Sequence, residues 1–481
     1  MGAIAVHGYH PFVEDGEIYV PGIKRALNPA LYPYNNGFFA SHARMTLFPQ
    51  LIAGSIRFAH VSVEWGLFLW QFACIFMLLL ACWHLGRLAF RDPLAKWGGV
   101  ALVASLLTIP VAGTALYIMD QYLTTRALSA PAVLFIAVNT LERKLWRAGL
   151  WTVFTVLIHP LMAVFGLTYA SLLWWLARGP RKFLVLANGA SPASSLPLSL
   201  LLLLPFGLFP PVTGAYREVV QTRSYFFLLR WEWYEWVGML APMALLWWFR
   251  RIARQQSLPV LDLLCGALLW FGGLFFVASL VISIPPGMAR FAELQPMRYL
   301  HLLYILLFVL GGGLLTQFVL KNHAWRWLLL FVPLCAGMTI AQRQLFPATP
   351  HIEWPGTKSL NEWVQAFAWI REHTPSDAYF ALNPDHMDLP GEDQHGFRAI
   401  AERSMLADRI KDSGAVTMFP ALADTWLSQI HSQEGWRNFQ LGDFRRLRNE
   451  FGVDWVVLEM PGLAGMDCPY RNRAVMVCRI E

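Results

Sequence analysis

The sequence has 481 residues, of which 56% are hydrophobic and 14% charged, with a mean hydropathy of +0.43; soluble domains carry about 25% charge, so a single water-soluble globule is excluded. The net charge of +7 comes from basic residues spread over short connections, with no basic run interleaved with aromatics and no nucleic-acid motif. Nucleic acid is therefore not an expected partner, whereas membrane lipid is.

The chain opens on MGAIAVHGYHPFVEDGEIY, which has neither the basic start nor the apolar core of a signal peptide. Residues 9–39 are polar, aromatic and rich in turn pairs such as Asn28-Pro29, Tyr32-Pro33 and Asn35-Asn36, so an elaborate loop is expected there. Residues 44–59 carry apolar side chains at helical spacing, which predicts a helix lying along a membrane surface. Apolar runs then predict spans near 66–84, 98–117, 124–140, 146–159, 161–177, 194–210, 235–250, 258–284, 298–318 and 324–341. A crossing takes roughly 20 residues, and shorter runs such as 146–159 are tolerated inside a bundle. Pro160 interrupts the fourth and fifth runs, because proline lacks an amide proton and clashes with the preceding turn, and this predicts a tight hairpin.

Basic residues recur in alternate connections: Arg87, Arg91 and Lys96; Arg143, Lys144 and Arg147; Arg178, Arg181 and Lys182; Arg250, Arg251 and Arg254; Lys321 and Arg326. By the positive-inside rule these face the cytoplasm. About ten crossings with an outer first loop then place the C-terminal segment outside as well. Residues 1–65 would lie outside with nothing to export them, so a first span upstream of them is expected to be missing. The fold class expected is a polytopic α-helical protein of the bacterial inner membrane. It comprises a first extracytoplasmic loop with a surface helix (1–65), a transmembrane bundle (66–341) and an extracytoplasmic α/β domain (342–481).

Within that last segment charges become frequent, and Pro350, Pro355 and Gly356 mark a linker. Helices are expected over 360–373, 421–431 and 444–451, and strands over 378–382, 453–459 and 474–480. Cys468 and Cys478 can bridge on an oxidising side. Arg398, Glu402, Arg403 and Asp408 are expected to pair with one another at the domain surface, or to meet an anionic ligand.

The chemistry-bearing residues concentrate in the first loop, where Glu14, Asp15 and Glu17 fall within four positions beside His10. Clustered carboxylates can hold a divalent cation, or act as a general base when proximity raises the pKa of one of them; otherwise they are solvated loop charges. No cofactor is specified beyond that cation. Further polar groups near the outer ends of spans are Asp120 with Arg126, then Arg230, Arg290 and Arg298. A charge at that depth is paired, functional or snorkelling to the interface.

An acidic pair in a first outer loop, followed by a surface helix, many short spans and an outward soluble tail, resembles the GT-C superfamily of membrane glycosyltransferases. That resemblance implies a polyprenyl-phosphate sugar donor, a catalytic base at Asp15 with Glu14 second, and a basic residue such as Arg298 on the lipid phosphate. His10, Asp120, Arg126, Arg230 and Arg290 complete the substrate-binding candidates. The pattern HPFVEDGEIYVPGIKRALNPALYP, joined to WIREHTPSDAYF and FRAIAERS, also resembles a bacterial family of multi-pass proteins that lends architecture rather than chemistry. The expected function is sugar transfer from a polyprenyl-phosphate carrier to an acceptor at the outer face. The alternative is a non-enzymatic protein, an envelope-assembly scaffold or a transporter or flippase. A transporter would show repeated spans and midplane charges, and neither is visible.

Overall fold

Apolar runs that must satisfy their own backbone groups become helices, and the computed structural model, which describes residues 1–178, 212 and 214–481, bears this out. After α1 (Gly2–His7), α2 (Gly16–Leu27), α3 (Gly37–Arg44) and α4 (Phe48–Ala59) come α5 (Val63–Ala89), α6 (Ala95–Ser105), α7 (Thr125–Leu141), α8 (Leu145–Ile158) and α9 (Pro160–Ala177). α10 (Gly214–Gln221), α11 (Trp233–Gln255), α12 (Pro259–Ser283), α13 (Tyr299–Leu315) and α14 (Ala324–Leu345) complete the helical part. Among the described residues five helices are long and apolar enough to cross a membrane, and α7 and α8 are shorter apolar helices. The expected span at 194–210 lies outside the described residues.

The break at Pro160 is where proline chemistry puts it. α8 ends at Ile158, His159 turns the chain, and Pro160 opens α9 at a position that needs no amide proton. The helix expected over 44–59 is α4, with Pro49 in its first turn, and α3 before it begins in the stretch expected to be loop. α4 buries Phe48, Ile52, Ala53 and Ile56 on one face and leaves Phe58 89% exposed, the partition of a helix with one face to the protein and one to lipid.

The second expected span is corrected. α6 stops at Ser105, and residues 106–124 are irregular apart from one short 3-10 turn (Ala112–Thr114), because Pro110 cannot continue a helix and Gly113 follows it. The freed groups pair locally, Val111 N–H donating to the Leu116 carbonyl and Met119 N–H to that of Leu107, each at 2.8 Å. Irregular backbone at this depth is tolerated where protein buries it. α6 itself lies hard against α13 through glycine: a Cβ at Gly99 would stand 2.6 Å from the Val309 carbonyl oxygen.

The C-terminal part is a small α/β domain, as expected, built from α15 (Glu362–His373), α16 (Phe397–Ala401), α17 (Asp412–Met418), α18 (Ala423–Ser432) and α19 (Leu441–Phe451). Its sheet contains β1 (Tyr379–Leu382), β2 (Ser404–Met405), β3 (Trp455–Glu459), β4 (Asp467–Arg471) and β5 (Val475–Arg479), in the order β2-β1-β3-β5-β4. β1 is parallel to both its neighbours, while β5 is antiparallel to β3 and β4. One face of the sheet packs Phe380, Trp455 and Val477 under Phe367 and Ile370 of α15. The other packs Tyr379, Val456 and Cys478 against Phe444 and Leu447 of α19. Cys468 and Cys478 are joined in a disulfide between β4 and β5.

The first loop is stitched into this domain. Val13 and His395 form an antiparallel bridge and Tyr9 and Ile352 a parallel one; Gly396 N–H donates to the Phe12 carbonyl at 2.8 Å. Glu353 lies 2.8 Å from His10 Nδ1 and 3.4 Å from His395 Nε2. Burial pushes the Glu353 carboxyl up, but His395 and His10 outweigh it and hold it at about 2. Residues of the first loop and of the C-terminal domain therefore lie on one side of the bundle. Basic connections meet at the other end of α5, where Arg87 contacts Glu142 at 3.3 Å and Arg91 donates to the Ser257 carbonyl at 3.0 Å.

Of the charges in FRAIAERSMLAD, Arg398 and Asp408 pair with one another at 3.7 Å, but they do so buried and not at the surface. Arg398, 1% exposed, donates to both carboxylate oxygens of Asp412 at 3.0 and 2.7 Å and to Glu17 at 3.3 Å. Glu402 takes Lys24 of α2 at 2.7 Å, and Arg403 donates to the Arg371 and Thr374 carbonyls. They bind the domain to the first loop and to α15, because a guanidinium so far from water must find its acceptors inside.

Candidate active site

The loop geometry begins at Glu14, whose φ of 53° turns the chain and whose N–H donates to the Gln394 carbonyl at 3.1 Å. Asp15 follows as the residue that opens α2, where the unsatisfied N–H groups favour a carboxylate. Glu17, two residues on, is not free for chemistry. Its oxygens accept the N–H groups of Arg398 and Ala399 at 3.0 and 2.9 Å, so it fixes the start of α2 on the domain.

Asp15 lies in a recess: surrounding atoms crowd it, yet its side chain is 36% exposed. Lys411, from the loop before α17, sends its ammonium between the two acids, donating to Glu14 and, at 3.2 Å, to Asp15 Oδ1. Burial pushes the Asp15 carboxyl up, but Lys411, Arg126 and Arg298 together outweigh it and hold it at about 2. Of the three clustered acids the one raised is Glu17, pushed up to about 8 by burial although Arg398 opposes it; Asp15 goes the other way because a cation stands between it and Glu14. Tyr19, one turn along α2, lies over Thr125 with 3.3 Å between the hydroxyl oxygens. Its ring meets His42 edge-on at 5.2 Å.

The unwound segment and α7 supply the far wall. Asp120 and Arg126 pair at 2.5 Å, buried, and Arg126 Nε is left without a hydrogen bond. Gln71 of α5 holds the Asp120 carbonyl at 2.7 Å. Arg298 stands at the head of α13. Its Nε is buried without a partner, and its guanidinium makes no ion pair or hydrogen bond to any described residue. Arg298 and Asp15 act electrostatically on one another, and both act on His42. A carboxylate held ionised and a guanidinium with no ion pair to any described residue thus lie within electrostatic reach of one another.

Other expected site residues lie elsewhere. His10 is 0% exposed, stacked on Phe346 at 4.2 Å and bonded to Glu353, so it anchors the loop. Arg230 donates to the Gln221 carbonyl at 2.9 Å and lines a different cavity of about 330 Å³ with Arg217, Ser283 and Pro285. Arg290 lies in the turn Pro286–Leu294 that leads to Arg298.

A divalent cation does not fit the acidic pair. Among the described residues no three His, Cys, Asp or Glu side chains are grouped to hold a metal, and Lys411 occupies the space between Glu14 and Asp15. Lys411 and His42 escaped the sequence reading. Tyr19 was within its reach, since a residue four beyond Asp15 on a helix shares its face.

Fold and site together define a multi-pass membrane protein with a charged recess between the bundle and an attached α/β domain. No protein-family model matches the sequence, and no curated protein does. Among solved structures, the archaeal oligosaccharyltransferase AglB from Archaeoglobus fulgidus, in complex with an inhibitory peptide and a dolichol-phosphate, is similar over 95% of this chain and 68% of its own, at 13% identity and a TM-score of 0.48. The apo form of the Archaeoglobus fulgidus oligosaccharyltransferase is similar over 95% of this chain and 57% of its own, at 15% identity and a TM-score of 0.27.

Proposed function

We propose that this protein is a membrane glycosyltransferase that moves a sugar from a polyprenyl-phosphate carrier to an acceptor hydroxyl at the extracytoplasmic face of the inner membrane. The observation that carries the reading is Arg298, a half-buried guanidinium that makes no ion pair with any described residue and lies within electrostatic reach of Asp15. Desolvating a guanidinium is costly unless an anion meets it, and a phosphate at the membrane boundary is such an anion. A scaffold role gives no reason for that arrangement.

The chemistry is a displacement. The acceptor oxygen forms a bond to the anomeric carbon while the bond from that carbon to the phosphate oxygen breaks. Its electron pair stays on the departing phosphate. Arg298, at the positive N-terminal end of α13, meets that developing charge, with Arg126 nearby on the wall. Asp15, ionised throughout the physiological range, receives the acceptor's O–H as a hydrogen bond and orients it for attack.

Arg298→Ala tests the phosphate contact. A hydrogen bond to a charged group contributes about 1.5–3 kcal/mol, so binding of undecaprenyl phosphate to the purified protein in nanodiscs should weaken roughly 10- to 150-fold. KM for the donor should rise more than kcat falls. Equal binding by wild type and variant would remove the basis of the reading.

A further inference from the structure

His42 was not singled out by its sequence position, and the donor-binding groups leave it unused. It lies on α3, with its ring against the edge of Tyr19 at 5.2 Å and 76°. Tyr19 in turn sits one turn beyond Asp15, its N–H donating to the Asp15 carbonyl at 3.1 Å, so the two share one face of α2. The imidazole is partly exposed, and its nitrogens make no hydrogen bond to any described residue. The charged and titratable groups that face it are Asp15 and Tyr19 from α2, His159 from the break before α9, and Arg298 from the head of α13. An imidazole with free nitrogens, packed on the Tyr19 ring that shares a helix face with Asp15 and within electrostatic reach of Arg298, has the position of a proton acceptor.

We propose that His42 is a catalytic residue that takes the proton of the acceptor hydroxyl, with Asp15 facing the imidazolium that forms. The inference rests on the transferase reading. As the acceptor oxygen bonds to the anomeric carbon and the carbon–phosphate oxygen bond breaks, the proton turns from Asp15, its hydrogen-bond acceptor before attack, and passes to a ring nitrogen of His42. It then leaves to solvent through the open side of the recess. Asp15 alone serves poorly as the final acceptor, since a carboxyl held at about 2 is far below the pH at which it would work. Burial lowers the His42 ring from its ordinary value, Asp15 opposing and Arg298 adding to the effect, so it is neutral and basic in form near pH 7. The division of labour is that of an imidazole base oriented by a carboxylate.

The test uses the full chain in nanodiscs with the polyprenyl-phosphate glycolipid fraction of the native membranes, reading release of polyprenyl phosphate by mass spectrometry. His42→Gln should lower kcat about 10²- to 10⁴-fold and remove the acid limb of the kcat/KM profile that wild type shows. Its Kd for undecaprenyl phosphate should stay unchanged, which reports an intact recess; if His42→Gln does not fold, His42→Asn is measured in its place. A variant that keeps the acid limb and most of kcat overturns the role of His42 and leaves the transferase reading standing. Absence of any release by wild type overturns the transferase reading itself.

Discussion

Replacing Arg398 by methionine should destabilise the domain by about 3–5 kcal/mol, the cost of breaking a buried ion pair from one side. Arg398 is the cation of a cluster in which Glu17, Asp408 and Asp412 are all 1% exposed or less. Methionine fills much of the volume but leaves three carboxylates facing one another away from water. The damage also reaches the recess, because Glu17 accepts the Arg398 and Ala399 N–H groups and so sets the start of α2 that presents Asp15. Thermal unfolding in nanodiscs should show a clearly lowered Tm and a weakened fit of the first loop to the domain, read as new protease cleavage near residues 9–17. An unchanged Tm would mean that the cluster contributes nothing net.

Asp15→Asn should reduce turnover about 10²- to 10⁴-fold while expression, membrane insertion and undecaprenyl phosphate binding stay as in wild type. The amide keeps the size of the side chain and suits the start of a helix as well as aspartate does. It cannot carry the negative charge that faces Lys411, Arg126 and Arg298. The acceptor hydroxyl then loses its hydrogen-bond acceptor. Under a scaffold role a change at a partly exposed loop position costs less than about 0.5 kcal/mol and has no phenotype. Normal envelope glycans in a deletion strain carrying only the Asp15→Asn form would therefore count against the assignment.

Much of the bundle was readable because hydropathy and proline act locally: α5, α9, α12 and α14 coincide with apolar runs, and the break before α9 falls at Pro160. The unwound segment after Ser105 was not readable in the same way. An apolar run looks alike whether its backbone is helical or is buried by neighbours such as α13, and the hydropathy of this one outweighed the breakers Pro110 and Gly113 within it. β4 was missed because its residues are mostly exposed or half-buried, so no apolar run marks it. Asp15 and Arg298 entered through a resemblance to a family, and the fold brings their fields together across almost the whole bundle. Lys411 and His42 join them from distant parts of the chain, and no periodicity announces a meeting that depends on how the domain docks. His10 misled for the opposite reason: it is adjacent to the acids in sequence, but the turn at Glu14 sends it to the far side, against Phe346 and Glu353.

The most direct test of the central claim is whether the purified wild-type protein in nanodiscs cleaves the sugar–phosphate bond of a polyprenyl-phosphate glycolipid. Mass spectrometry of the lipid fraction should show free polyprenyl phosphate accumulating with wild type, and at least about 100-fold more slowly with Asp15→Asn. No accumulation with a wild-type protein that binds undecaprenyl phosphate, or equal rates for wild type and Asp15→Asn, would contradict the assignment of the recess as a site of glycosyl transfer.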